Sequence, residues 1–332
     1  MIDILDIKPN VVSRDLRGYT VLFYGSPKSG KTTNAAKFPK SLLLATEVGY
    51  LAIPGIKVAP IQKWSEIKQI IKQLKTEEAH QAYETIIIDT CDLAYELCEK
   101  YICAREGVES VGDIPYGQGW AKAKKEFDEV LRAFPALGYG LVLISHSQDK
   151  TFTDEDGKEY NKIVPTLSNG PRLIVERMTD IFGFASPYQN EDGTTGVRLY
   201  MRGTPRYEAG SRFKYITDNI EFDYDELVKA VGDAVDKEAK MHDNKFVTDE
   251  VINEYDENNA LNYNEIMKEF SEIVAKLQKG SKKEFSEKWA PFIVSLTDKY
   301  LGKGKKINDS TPEQVEMVSL VLSDLKDAIN KA

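Results

Sequence analysis

The sequence predicts an α/β chain: a central, mostly parallel sheet with helices on its faces, followed by a helical appendage. Three observations predict it. The first two thirds of the chain alternate strand-like and helix-like segments. Several strand-like runs are continuously apolar, as strands buried on both faces are. Beyond residue 263 the apolar residues recur at helical spacing.

Composition sets the outer limits. The 332 residues are 42% hydrophobic and 29% charged, which excludes wholesale disorder. A net charge of −9 excludes a uniformly basic surface that coats duplex DNA, but leaves room for a local basic groove. No apolar run approaches the roughly 18 residues of a membrane span, and the first ten residues lack the apolar stretch of a secretory signal. The 3 cysteines, Cys91, Cys98 and Cys103, are odd in number and wrongly spaced for zinc. They read as buried, reduced thiols of a cytoplasmic protein.

The elements follow in order. Residues 20–24 (TVLFY) form the first strand and run into Gly25. A helix over 30–38 stops at Pro39. Residues 41–45 (SLLLA) form the second strand, and 64–74 a helix with Ile67, Ile70, Ile71 and Leu74 on one face. Residues 85–89 (TIIID) are the third strand, followed by a helix marked by Leu93, Leu97, Cys98 and Tyr101. Trp120, Ala123, Phe127, Val130, Leu131 and Phe134 form the stripe of the next helix, with Trp120 read as its core anchor. Residues 141–145 (LVLIS) and 180–185 (DIFGFA) add two strands. Residues 197–202 (VRLYMR) alternate strictly and suit an antiparallel edge strand. Thr311-Pro312-Glu313-Gln314 reads as a capping box opening the last helix. The expected organisation is an N-terminal segment 1–17, a core 18–235, an acidic linker 236–263 and a helical module 264–332.

The strongest chemical signal is Gly25-Ser26-Pro27-Lys28-Ser29-Gly30-Lys31-Thr32, with Thr33 following. It fills every position of the pattern G-x-x-x-x-G-K-[ST]. Glycines let the loop wrap phosphates, Lys31 brings charge to the β- and γ-phosphates, and the Thr32 hydroxyl suits Mg²⁺. ATP and Mg²⁺ are therefore the expected cofactors. Asp89, closing the apolar run Ile86-Ile87-Ile88, has the placement of a second Mg²⁺-holding group. Glu47, after a strand expected beside the phosphate loop, is the candidate base that orients water, with Asp92 and Glu84 as competitors. His146 ends the fourth long strand and suits a γ-phosphate sensor. Arg212 or Lys214 suits a finger reaching nucleotide on a neighbouring subunit.

Two segments are expected to leave the sheet at the phosphate edge and offer contacts to single-stranded DNA. One is 105–120, with Tyr116, Trp120 and flanking glycines. The other is 147–170, with Lys150, Lys158 and Lys162. The second is close to charge-balanced. The tail after Arg212 contains no arginine and is poorly suited to bidentate phosphate recognition.

Taken in order, Gly25–Thr32, Glu47, Asp89, Tyr116-Gly-Gln-Gly-Trp120, Ile144-Ser-His146 and Ala209-Gly-Ser-Arg212 resemble the RecA-like ATPases of bacteriophages. That group includes the Sak-type single-strand annealing proteins. The resemblance covers about residues 10–235. It implies a RecA-like P-loop core, nucleotide at the interfaces of a ring or filament, and single-strand annealing aided by a single-strand-binding protein. It also implies that Glu47 polarises water and His146 senses the γ-phosphate. Some relatives carry Lys where Gly210 stands, which leaves Arg212 as the finger candidate. The resemblance does not extend to the tail beyond 236, for which a docking module for a partner protein, or a stabilising or oligomerising appendage, is the expectation. The reading is a DNA-stimulated ATPase of the host bacterial cytoplasm acting in phage recombination. The alternatives are a helicase- or loader-type motor, a nucleotide-gated binding module and, last, a small-molecule kinase.

Overall fold

A computed structural model describes residues 5, 7–251 and 262–330. Contacts divide the chain into two compact units, Pro9–Tyr255 and Asp256–Ala332 with Met1–Lys8.

The larger unit is built on one twisted sheet. Its strands are β2 (Thr20–Gly25), β3 (Ser41–Ala45), β4 (Lys57–Pro60), β5 (Thr85–Asp89), β6 (Gly140–Thr153), β8 (Ile181–Gln189), β9 (Thr195–Tyr200) and β11 (Asn219–Glu221). They lie in the order β11-β9-β8-β2-β6-β5-β3-β4. From β8 to β4 all neighbours are parallel, and β9 and β11 add an antiparallel edge. The apolar runs read from the sequence are the central strands, because only strands covered on both faces need apolar residues at every position. The fold class is the expected one: α/β, with a central, mostly parallel sheet and C-terminal helices.

Each face has its own core. Leu22, Leu44, Ile86, Ile88, Leu141 and Leu143 pack under α2 (Trp64–Gln73), α4 (Cys91–Glu106), α5 (Gln118–Ala136) and α6 (Asn169–Met178). Val21, Phe23, Leu43, Ile87, Val142 and Ile144 face α1 (Lys31–Ala35) and α7 (Tyr224–Lys240). Phe23 meets Phe38 and Phe222 edge-on. A short α3 (Glu77–Ala82) precedes β5. The three cysteines are buried and unpaired, and burial pushes the Cys91 and Cys98 thiols up, away from reactivity.

The structure corrects several boundaries. The first helix ends at Ala35, and the chain reaches Phe38 through tight turns (Lys37 N to Asn34 O, 3.2 Å), since Pro39 disfavours a helical residue before it. The expected boundary after 235 falls inside α7, which continues to Lys240. Beyond it, β12 (Val247–Thr248) pairs in parallel with β1 (Val12–Ser13), and Arg14 binds Asp236 and Asp249. The N-terminal segment and the start of the acidic stretch are thus stitched together within the larger unit. The rest of that stretch, 252–261, lies outside the described residues.

The C-terminal unit is helical: α8 (Tyr263–Gly280), α9 (Lys282–Glu284) running through a π turn into α10 (Ala290–Tyr300), and α11 (Val315–Asn330). Phe270, Trp289, Leu296, Val318, Val321, Leu322 and Leu325 form its separate core. The Thr311–Gln314 capping box is present, with Thr311 N donating to Gln314 Oε1 at 3.2 Å. Among the described residues no helix is long and apolar enough to cross a membrane.

Candidate nucleotide-binding site

The site starts where β2 ends. At Gly25 the strand lies hard against β8, and a Cβ there would sit 2.2 Å from the Ala185 carbonyl oxygen. No other residue fits without parting the strands. The loop then turns through two left-handed residues, Lys28 (φ 64°) and Gly30 (φ 77°), before α1 begins at Lys31. The turn folds the Lys31 ammonium under the loop, where it donates to the Gly25 and Ser26 carbonyls at 3.0 and 2.8 Å. Ser29 Oγ lies 3.4 Å from it. Burial pushes the Lys31 pKa down, against the upward pull of Asp89, Glu47 and Asp92. Asn34 holds the loop from behind, donating to the Phe222 and Gly30 carbonyls at 2.9 and 3.2 Å.

Asp89 ends β5 and Thr32 lies in the first turn of α1, 57 residues apart in sequence. They meet: the Thr32 hydroxyl donates to Asp89 Oδ2 at 2.6 Å. Burial pushes the Asp89 pKa up, and the Thr32 bond opposes that shift only in part.

Glu47 follows β3. The expectation that its strand lies beside the phosphate-loop strand is not met, because β5 and β6 stand between them. Its side chain nevertheless reaches inward: Oε1 is 3.4 Å from His146 Nε2. His146 pairs in register with Gly25, so the sensor candidate and the loop are strand neighbours. Of the competing acids, Asp92 is half-buried in the first turn of α4, three residues beyond Asp89, and desolvation pushes its pKa up. Glu84 precedes β5 at the opposite end from Asp89 and binds Arg17 and Lys40 at 2.9 and 2.7 Å. It is not part of the site.

Arg212 is not brought to the phosphate loop of its own chain. It follows β10 (Gly210–Ser211), which pairs with the start of β8, at the sheet edge opposite the loop. Its guanidinium binds Asp180 at 2.9 Å and the Arg177 carbonyl. Lys214 lies 5.0 Å over the Tyr215 ring.

The two expected contact loops differ from their reading. Residues 147–165 are a β-hairpin, with the outer half of β6 pairing with β7 (Glu159–Pro165) across an Asp154–Lys158 turn. The arm rises from the phosphate edge, since His146 at its root faces Gly25. The other segment does not leave the sheet there. It follows α4, whose 16 residues carry the chain roughly 24 Å along the helix axis from Cys91. Nor is Trp120 a core anchor: it is 48% exposed, edging Gly112, while Phe127, Leu131 and Phe134 fill the core. Tyr116 is 98% exposed.

Three residues were not singled out from the sequence. Ser145 and Thr166 both donate to Asp92 Oδ1, at 2.9 and 2.8 Å, and Asn34 anchors the loop. Only the position of Ser145 beside His146 offered a hint. The other partners meet through tertiary folding.

Two observations test whether a nucleotide with Mg²⁺ fits these residues. A hydroxyl and a carboxylate converge beside a buried lysine, the donor set that Mg²⁺ uses alongside phosphate oxygens. In addition, Asp92 Oδ2 and His146 Nδ1 are buried with no hydrogen-bond partner, leaving two polar atoms for a ligand or its water. The residues fit. Mg²⁺ would be held by Thr32 and Asp89, and when bound it supplies positive charge against the phosphate oxygens.

Fold and site together define a P-loop ATPase. Residues 17–213, more than half of the chain, match the AAA domain family, and the chain belongs to it. It is 30% identical over 340 residues to the SPbeta prophage-derived uncharacterized protein YorG of Bacillus subtilis (strain 168), covering 99% of each chain. Among solved structures, the flagellar accessory protein FlaH from Methanocaldococcus jannaschii is similar over 62% of this chain and 85% of that one. Its identity is 11% and its TM-score 0.34, too loose a likeness to carry argument.

Proposed function

We propose that the chain is a phage recombination ATPase that binds and hydrolyses ATP with Mg²⁺ and pairs single-stranded DNA. The observation that carries the DNA part is the arm. Its cross-strand pairs Lys150↔Lys162 and Phe152↔Tyr160 share one face, because alternate residues of paired strands do. The Phe152 and Tyr160 rings stack at 5.9 Å, and Lys150 Nζ lies 5.7 Å from the Phe152 centroid. Cations interleaved with aromatics are what sequence-tolerant single-strand binders use. The arm's root adjoins the phosphate loop, so nucleotide state can reach it through His146. The prophage origin of the 30% identical relative supports the phage setting.

In the chemistry, Lys31 neutralises phosphate charge, Thr32 and Asp89 orient the metal, and Glu47 orients the attacking water, held by His146. Arg212 lies too far from its own site to act there, which supports a role on a neighbour in a ring or filament. The C-terminal unit, with Val294, Met317 and Leu320 exposed, is proposed to hold a single-strand-binding protein.

ATPase rate is measured with and without single-stranded DNA, at low and moderate salt, with Lys31→Ala as the control for the site. Stimulation that fades with salt supports the reading. No stimulation and no DNA binding overturns the DNA part. Duplex unwinding without annealing reassigns the chain to the motor class.

A further inference from the structure

The contacts at the arm's root converge on one carboxylate. Ser145 and His146 are where β6 leaves the sheet to become the arm, and Thr166 is the first residue after β7 brings it back. Thr166 N donates to the His146 carbonyl at 2.9 Å, which closes the root. The hydroxyls of Ser145 and Thr166 lie 3.4 Å apart, and both donate to Asp92 Oδ1. Asp92 therefore ties the outgoing and the returning strand of the arm to α4. That helix starts two residues after Asp89, whose own oxygen accepts from Thr32 of the phosphate loop. Asp92 Oδ2 is buried and has no hydrogen-bond donor.

We infer that Asp92 is the positioning residue that couples the 147–165 arm to the nucleotide site. Oδ1 grips the arm, and Oδ2 is kept for a donor that arrives with nucleotide. The inference rests on the nucleotide-binding reading above, and not on what the arm binds. A buried carboxylate oxygen without a donor is costly, and a donor that reaches it is a gain. A ligand or water that satisfies it fixes the carboxylate, and the same carboxylate fixes both strands of the arm. An Asp92 that merely caps its helix turn would leave the arm indifferent to nucleotide.

The test is hydrogen exchange of the full chain, followed on peptides covering 147–166, with and without Mg²⁺ and a non-hydrolysable ATP analogue. In the wild type, nucleotide slows exchange in the arm by about fivefold or more. Asp92→Ala speeds arm exchange about tenfold and removes the nucleotide response. Thr166→Val removes one of the two donors at constant shape. It moves exchange the same way by a smaller factor, and it carries the test if Asp92→Ala does not fold. Asp92→Asn keeps the Oδ1 acceptor but presents an N–H where Oδ2 would accept, so arm exchange without nucleotide stays near wild type and the nucleotide response is lost. Wild-type exchange and response in Asp92→Ala or Thr166→Val overturn the inference, and so does an Asp92→Asn that behaves like Asp92→Ala. A wild-type chain that binds no fluorescent ATP analogue is recognised separately: it removes the nucleotide-site reading, and the coupling with it.

Discussion

Thr32→Val keeps the shape of the side chain and exchanges the hydroxyl for a methyl, so its effect is confined to one donor. Without nucleotide it removes the 2.6 Å bond to Asp89 Oδ2. A hydrogen bond to a charged acceptor is worth about 1.5–3 kcal/mol. Asp89 is only 4% exposed, so water does not replace the lost partner. Its raised pKa, set chiefly by burial, works the other way, because a carboxyl that protonates more readily loses less. A cost of about 2 kcal/mol follows, lowering the melting temperature by roughly 4–8 °C for a unit of this size. With nucleotide the consequence is different in kind. ATP affinity is measured by competition with a fluorescent analogue, once with Mg²⁺ and once with EDTA. In Thr32→Val the tightening due to Mg²⁺ falls by about tenfold, or about 1.4 kcal/mol, while affinity in EDTA stays within about threefold of wild type. Thr32→Ser restores the Mg²⁺ effect. An unchanged Mg²⁺ effect in Thr32→Val refutes the assignment of Thr32 to the metal. An equal loss in EDTA shows instead that the hydroxyl shapes the loop.

Glu47→Gln keeps ATP affinity within about threefold and slows hydrolysis by about 100-fold in a single-turnover assay; wild-type hydrolysis would place the base elsewhere. Burial raises the Asp89 pKa in the nucleotide-free protein, so its carboxyl favours folding below its ordinary range, and that contribution is lost as pH rises through the raised value. Asp89→Asn therefore melts at or above wild type at pH 7, and the difference closes below about pH 3, where the wild-type carboxyl is protonated in both states; a gap that widens on acidification contradicts the sign. Phe152→Ala and Tyr160→Ala each weaken single-strand binding by about 1–3 kcal/mol in fluorescence anisotropy and leave ATP affinity unchanged; unaltered DNA affinity in both removes the stacking role. Glu126→Ala takes the acceptor from buried Trp64 Nε1 (3.0 Å) and from Lys68 (2.6 Å), and costs about 2 kcal/mol in a denaturant titration, discounted for the part-exposed Lys68.

What was legible in the sequence is what local chemistry dictates. The doubly buried strands are uniformly apolar because nothing polar survives at Leu43, Ile87 or Val142, and the phosphate loop is written in consecutive residues. The order of the strands was not legible. It placed β5 and β6 between Glu47 and the loop, and only the length of a glutamate side chain recovers the contact. The arm was hidden for a related reason. Its strands are exposed beyond the root, so Thr151, Asn161 and Glu159 show no apolar alternation, and the Asp156-Gly157 turn was its only local sign. Trp120 misled because helical spacing puts it on the apolar stripe, yet its ring edges Gly112 and stays 48% exposed. Asp92, Ser145 and Thr166 come from three elements, and no single stretch of sequence records that they meet.

The site divides into two halves that differ in what a ligand offers them. In the loop half every strong group is already satisfied: Lys31 by two carbonyls and Thr32 by Asp89. Phosphate and metal exchange these bonds for others, and an exchange of hydrogen bonds is worth little net free energy. On the proposed reading, the loop half would accept any nucleotide that brings a β-phosphate and Mg²⁺. In the other half Asp92 Oδ2 and His146 Nδ1 are buried and unpaired, so satisfying them is a gain and not an exchange. Discrimination between ATP and ADP should accordingly come from the His146–Asp92 half. His146→Ala is expected to narrow the ratio of ATP to ADP affinity while leaving ADP affinity near wild type. An equal loss of both affinities would mean that His146 supports the loop and senses nothing.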